Sequence, residues 1–462
     1  MYLTKALRLG PAPRLALVGA GGKTSALFRL GWEFLKAPKN DPPPRNVFLS
    51  ATTHMAVEQW KFADHHYVVE SVEDLGALER KIPPGLILFT GPQVEPQRSA
   101  GLNSAIMDCL REIADARATP LFIEADGSRQ RPLKAPASHE PVIPTWTDCV
   151  VVVAGLSGLG QSLGAEWVHR PELFSELSRL NLGEPIDPSA LAAVLIHPQG
   201  GLKAIPPTAM RAVLLNQANT PERQSLAYDL AKRLTPVYQS VLIADLASSS
   251  AALTKSNSKT NDNGPVFSVH EPVAGIILAG GASSRFGGAK QLLPWHGQAL
   301  VWHVARTALA ADLNPVVLVT GFSAEDVRSK LMDLPVDFVH NVDWQSGIST
   351  SIRAGLQALP PQIGGAVFLL ADQPLIPPGL VRSLVENHAS TLSAFVAPLI
   401  DGQRANPVLF DRRTFPELME LSCDAAGRSL FSRYQPLWVP WHDRSLLVDV
   451  DTPEDYQRLL EM

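Results

Sequence analysis

Cysteine is scarce in this chain. Three occur in 462 residues, Cys109, Cys149 and Cys423, far apart and with no CxxC pair. That spacing excludes a disulfide framework and an ordinary zinc site, and it fits a reducing compartment, here expected to be the cytoplasm. An excess of positive charge is also missing, since 40 Lys and Arg stand against 45 Asp and Glu for a net charge of −5. A surface built to coat nucleic acid is thereby excluded, while local basic pockets for small anions are not. No uncharged apolar run reaches the roughly 18–20 residues needed to span a bilayer, so no membrane partner is expected. The early basic residues Lys5, Arg8 and Arg14 run into LALVGAGGKT, whose apolar part is too brief for a signal peptide.

What is present is a globular mixture, 45% hydrophobic and 18% charged. The length exceeds one ordinary core, so two or three domains are expected. The clearest seam is ASSSAALTKSNSKTNDNGPV, a polar stretch without apolar period. It reads as a flexible linker. The expected division is an N-terminal domain over 1–246, a linker over 247–270 and a C-terminal domain over 271–462.

Both parts read as α/β. Short apolar runs without alternation suit central parallel strands covered on both faces. In the first part they are RLALVGA, RNVFLSATT, GLILFT, TPLFIEAD, CVVVVAGL, LAAVLIH and RAVLLNQ; in the second, VAGIILAGG, PVVLVTGF, VDFVHN, GAVFLLAD, SAFVAPLID and PVLF. Helical patterns such as TSALFRLGWEFLK and LNSAIMDCLREIADAR lie between them. The expected fold is two doubly wound domains, the first P-loop-like and the second Rossmann-like. Ligands in such sheets bind at the carboxyl ends of strands.

In the second part, GIILAGGASSRFGGAKQLLP starts on an apolar strand and stops at Gly280 and Gly281. Glycines there let the backbone approach a phosphate and offer N–H groups to it. Leu278 and Ala279 lead into the loop, and Arg285 and Lys290 can neutralise a triphosphate. In GAVFLLADQP, Asp372 ends another strand. A carboxylate there either caps the next turn or, opposite a phosphate loop, holds Mg2+. Asp449 and Asp451 offer a second carboxylate, or else Asp451 or Thr452 caps the helix TPEDYQRLL.

Taken together, L-A-G-G-x-S-x-R-F-G-x-x-K, HNVDWQSGISTSIRAGL (340–356), LLADQP, NPVLF and VDVDTPEDY resemble the nucleotidyltransferases of molybdenum-cofactor biosynthesis. Within that nucleoside-triphosphate transferase family, the MocA-like molybdopterin cytidylyltransferase branch is the nearest match. The resemblance covers residues 273–462. It implies transfer of CMP from CTP to molybdopterin with Mg2+ and release of pyrophosphate. Arg285, Lys290 and Asp372 would be catalytic, and Leu278, Ala279, Gly280 and Gly281 would join Arg285 and Lys290 on the nucleotide. The metal would rest on Asp372 and Asp451. Asn341, Gly347, Ser349, Ser351 and Asn406 would meet the acceptor, with Trp344 as a flat face or a core residue. The acceptor phosphate would itself be the nucleophile, so positioning and charge carry the catalysis. The loop reads LAGG, a form that resembles the guanylyl branch, whereas DQP, KQLLP and NPVLF favour the cytidylyl branch. GTP, or a sugar- or alcohol-phosphate acceptor, therefore remains the alternative, and a non-catalytic cofactor carrier is the reading of another class.

The first part carries its own loop, LALVGAGGKTSALFRL. Gly22-Lys23-Thr24 is the functional end of a Walker A loop, where Lys meets phosphates and Thr meets Mg2+. Leu17 stands where the first Walker glycine should be, so the shorter form from Gly19 resembles the loop of Mur-ligase-type ATPases. This implies ATP or GTP at the N-terminal loop. TTHM brings His54, a ligand candidate or a plain loop histidine. EADGSRQRPLK brings Glu124 and Asp126, with Arg129, Arg131 and Lys134 as anion candidates. With HEPVIP, these stretches resemble the YqeC-like family over residues 10–245. That family is linked to selenium-dependent molybdenum hydroxylases as accessory factors. The implied partner is an apo molybdenum hydroxylase.

Overall fold

A computed structural model describes residues 1–36, 44–79, 81–247, 264–281, 286, 288–421, 433–447 and 449–462. The chain forms two units, Met1–His270 and Glu271–Met462.

The first unit is built on nine strands: β1 (Arg14–Gly19), β2 (Asn46–Ala51), β3 (His65–Val68), β4 (Gly85–Thr90), β5 (Leu121–Glu124), β6 (Cys149–Gly155), β7 (Met210–Asn216), β8 (Ser240–Ala244) and β9 (Val266–His270). Their order across the sheet is β9-β8-β7-β6-β1-β5-β2-β4-β3. All neighbours run parallel except β9, which is antiparallel to β8. The central strands are buried along their whole length, as their unbroken Val, Ile and Leu runs require. Helices α1 (Lys23–Lys36), α2 (Ser104–Ala116), α3 (Pro188–Ile196) and α4 (Pro221–Leu234) connect them. The Asn103 side chain caps α2 by accepting from Ile106 N–H, and α2 buries Ile106, Met107, Leu110 and Ile113 on one stripe.

Two expectations are corrected here. LAAVLIH lies in and just beyond α3 and is not a strand. Asp187 accepts from Ala190 N–H at its start, Pro188 follows, and alanines fill the first turns, all of which favour helix. A short, evenly apolar run fits either a buried strand or a buried helix, so the cap decides. The second correction concerns the linker's end. Residues 266–270 are strand β9, with Val266 and Val269 buried and Val266 N–H donating to Met1 O at 3.0 Å. The polar stretch ahead of it hid this edge strand. Residues 248–263 of the expected linker lie outside the described residues.

The second unit has strands β10 (Val273–Ala279), β11 (Val316–Thr320), β12 (Asp337–His340), β13 (Gly365–Leu370), β14 (Phe395–Ile400), β15 (Gln403–Arg404), β16 (Val408–Asp411) and β17 (Leu437–Pro440). Their order is β12-β11-β10-β13-β16-β14-β15, with β17 paired to β14. Strands β12 to β13 run parallel, but β16 is antiparallel to β13, so the sheet is mixed. Along β10, Ile277 and Ala279 enter one core cluster while Ala274 and Ile276 enter another, which places packed side chains on both faces. Helices α5 (Leu300–Ala310), α6 (Ile348–Gln357), α7 (Pro378–Thr391) and α8 (Pro453–Leu460) complete the unit. No helix among the described residues is long and apolar enough to cross a membrane.

The β9 assignment is checked by Val269→Asp in the full chain. A carboxylate at this buried position is expected to destabilise the first unit by more than about 2 kcal/mol. Unchanged thermal unfolding would return residues 266–270 to the linker.

Candidate functional sites

In the second unit the glycine loop follows β10. Gly280 sits tightly: an added Cβ would lie 3.1 Å from Ser351 Oγ, and its carbonyl accepts from Phe322 N–H at 3.1 Å. Gly281 opens to free space and is exposed. The carbonyls of Leu278 and Ala279 accept from Ala371 N–H and Gln291 Nε2, at 3.2 Å each, so both are tied to the scaffold. Arg285 lies outside the described residues.

Lys290 is the hub. Its Nζ pairs with Asp372 and, at 2.6 Å, with Asp451 Oδ1. Asp372 comes from just beyond β13, the strand beside β10, and Asp451 from just ahead of α8. Burial works against the lysine's charge, but Asp372 and Asp451 outweigh it and hold the amine above its ordinary range. Asp449 is raised by burial and by the two neighbouring carboxylates, against a hydrogen bond from Gln373 Nε2. The helix cap goes to Thr452 instead, in a reciprocal capping box with Asp455. Asp451 is thereby freed from that duty.

These residues fit a divalent cation. Asp372 and Asp451 both meet the Lys290 amine, and Mg2+ asks for only one or two carboxylates beside phosphate oxygens. No ready-made cluster of three or more His, Cys, Asp or Glu ligands exists among the described residues.

The expected acceptor residues are placed differently from one another. Gly347, at φ 107°, starts α6, and its carbonyl accepts from Thr350 Oγ1 at 2.8 Å. Asn341 is buried and turned inward. Its Nδ2 donates to Thr350 Oγ1 and Ser351 Oγ, at 2.8 and 2.9 Å, and its Oδ1 accepts from Asp343 N–H. These bonds tie Asn341 to its own loop. Ser349 is fully buried with its Oγ unpartnered. Trp344 packs on Gly321 and lies 5.7 Å from the Phe322 ring. Asn406, half-buried, precedes β16, whose antiparallel register brings its start toward the Asp372 end of β13.

In the first unit the loop after β1 needs glycine. Gly19, Gly21 and Gly22 all have positive φ, and a Cβ on Gly21 would lie 2.4 Å from Gly155 Cα. Lys23 and Thr24 open α1. Lys23 is almost wholly buried, with Nζ 2.7 Å from Gly19 O, 3.3 Å from Asp126 Oδ1 and 3.7 Å from Glu124 Oε1. Thr24 Oγ1 donates to Glu124 Oε2 at 2.8 Å. Burial raises the Glu124 carboxyl, against Lys23 and Thr24. The structure therefore gathers Gly19, Gly22, Lys23, Thr24, Glu124 and Asp126 at the ends of adjacent strands.

Lys134, expected as an anion candidate, is instead buried between Asp126 and Glu140, 2.8 Å from each. Arg170 closes the chain of charges with two hydrogen bonds to Glu140. Arg129 and His54 are exposed. Glu140 and Arg170 escaped the sequence reading, because nothing in HEPVIP or VHRP marks two distant charges as partners.

The class these features define is a two-part α/β protein whose halves each set a lysine between carboxylates beside a glycine loop. Residues 275–437 match the MobA-like NTP transferase domain, and residues 15–172 match the YqeC protein family. YqeC of Escherichia coli (strain K12) is 34% identical over 205 residues, covering 44% of this chain and 75% of that protein. Nicotine blue oxidoreductase of Paenarthrobacter nicotinovorans is 33% identical over 198 residues, 41% of this chain and 96% of that protein. Molybdenum cofactor cytidylyltransferase of Escherichia coli (strain K12) is 24% identical over 184 residues, 39% of this chain and 92% of that protein. The chain belongs to the YqeC family through its N-terminal half and to the MobA-like NTP transferase family through its C-terminal half.

Glu140 makes the first unit acid-sensitive. Burial opposes its charge, but Arg170 and Lys134 prevail and hold its pKa at about 2, against an ordinary 4.5. A depressed carboxyl stabilises above its unfolded value and loses that contribution as pH falls through the folded one. Glu140→Gln should therefore lower the unfolding temperature at neutral pH, with the gap to the parent protein narrowing between pH 4.5 and 2. A pH-independent gap would show that the charge is not the cause.

Proposed function

We propose that the C-terminal half transfers CMP from CTP to the phosphate of molybdopterin. The N-terminal half, on this reading, is a P-loop domain that binds ATP or GTP and assists maturation of a molybdenum hydroxylase in the cytoplasm. The observation that carries the first part is Lys290 held between Asp372 and Asp451 beside the Gly280–Gly281 loop. The lysine is placed to neutralise triphosphate oxygens, and the loop glycines let the phosphates come close. An oxygen of the acceptor phosphate attacks the α-phosphorus. The bond from that phosphorus to the pyrophosphate oxygen breaks, and pyrophosphate leaves with the electron pair. Asp372 and Asp451 would hold Mg2+, whose contribution is to offset charge on the α-phosphate and the leaving group. Asn341, through Ser351, fixes the loop floor behind Gly280, while Gly347, Ser349 and Asn406 border the acceptor side. On the N-terminal side, the buried Lys23 with Thr24 and Glu124 supports a nucleotide with its own cation.

Gly280 in LAGG keeps GTP as the alternative donor. A second reading comes from the oxidoreductase relative, which exceeds the cytidylyltransferase in identity over a similar length. On that reading the scaffold turns over a redox substrate and no pyrophosphate forms.

The test is pyrophosphate release by the purified chain with Mg2+ and molybdenum-loaded molybdopterin, comparing CTP, GTP and ATP. Release with CTP alone supports the proposal. Release with GTP alone moves the chain to the guanylyl branch, and none with any donor favours the redox or carrier reading. Asp372→Ala should cut transfer by about 100-fold or more while the unfolding temperature stays within a few degrees. Full activity of that variant with Mg2+ would refute the metal assignment.

A further inference from the structure

Neither LLNQAN at the end of β7 nor ADLA at the end of β8 carries a recognisable ligand motif. The structure joins both to the N-terminal glycine loop. Asn216 is buried, its Nδ2 donates to Gly21 O at 2.7 Å, and its Oδ1 accepts from Leu246 N–H at 3.0 Å. Ala218 N–H donates to Ala244 O at 3.0 Å. A Cβ on Gly22 would lie 2.4 Å from Asn216 Nδ2 and 3.9 Å from Leu246 Cδ1. One buried carboxamide thus fastens three strand-end loops into a single unit, with the segment 217–219 as its outer rim.

The direction of a bound nucleotide follows from charge. Ligands of such sheets lie across the carboxyl ends of the strands. On the β5 side of β1 those ends are filled by Glu124, Asp126 and Lys134. On the β7 and β8 side lie the amide-rich loops. Asn219 there is exposed, and its Oδ1 accepts from Arg223 Nη1 at 2.7 Å. That oxygen keeps a second lone pair, and Nδ2 makes no hydrogen bond among the described residues. A carboxamide presents an acceptor and a donor side by side, the pattern that matches the N6 and N7 edge of adenine.

We propose that the loops 216–219 and 244–247 are the base-binding side of the N-terminal nucleotide site, with Asn216 the positioning residue and Asn219 the reader of an adenine base. This rests on the reading that the N-terminal loop binds a nucleoside triphosphate. The test uses the full chain carrying Lys290→Ala to silence the C-terminal site, with ATP, GTP and inorganic tripolyphosphate titrated by calorimetry. Asn219→Asp is expected to weaken ATP binding about tenfold without strengthening GTP binding, because a carboxylate only accepts and guanine presents two acceptors, N7 and O6, on that edge. Tripolyphosphate binding should not change. If ATP and GTP bind as before while Lys23→Ala abolishes binding, base recognition by Asn219 is overturned and the phosphate loop stands. If Lys23→Ala leaves ATP binding intact, the nucleotide reading of the N-terminal loop fails with it.

Discussion

A lysine amine withdrawn from water must be matched by negative charge, and both halves of this chain meet that demand in the same way. Lys23 is set against Glu124 and Asp126, Lys290 against Asp372 and Asp451. In each half one carboxylate arrives from the strand beside the first strand of the sheet. Stripping a partner from the buried Lys23 is costly, commonly about 3–5 kcal/mol, and less so for the partly open Lys290. That cost fixes what else must be true. The neighbouring strand has to end at the right register, and the first strand has to turn off sharply enough to leave room.

The glycine loops supply that room. Gly19, Gly21 and Gly22 take backbone angles that other residues resist, and Gly21 nearly touches the backbone of Gly155. An anion entering either loop meets a lysine already neutralised by carboxylates, so it must compete for the amine or bring a cation that takes over the carboxylates. This makes a metal-complexed triphosphate a better entrant than a bare one, since its ion satisfies the acids as its phosphates satisfy the lysine. The arrangement at rest and the arrangement with a nucleotide then differ by an exchange of partners and not by a net burial of charge.

The two lysines are held with different firmness. Lys23 is almost wholly buried and also donates to Gly19 O, within its own loop. Lys290 is partly open, and Asp451 is half exposed. Solvent screens the second pair more, so its exchange is the less costly of the two. On the proposed reading, a metal-complexed nucleotide displaces the C-terminal pair more readily than the N-terminal one.

What the sequence revealed, and what it concealed, follows the same physics. A glycine pair after an apolar run, or an acid ending one, departs from ordinary strand composition, so Gly280, Lys290, Asp372, Lys23 and Glu124 stood out. Their supports did not. Asn216 reaches Gly21 across 195 positions, Gln373 reaches Asp449 across 76, and Arg170 reaches Glu140 across 30. Each is an unremarkable polar residue until strand order brings its partner near. The short apolar runs that mark strands say nothing about their order, and β9 and α3 show that they can mislead about the elements themselves. Asn341 lay in a recognisable motif, and the fold adds what the motif could not, that its amide holds Thr350 and Ser351. Residue type discloses where charge is handled; only the fold discloses which groups are left with a free donor or acceptor, and those are the ones a ligand can use.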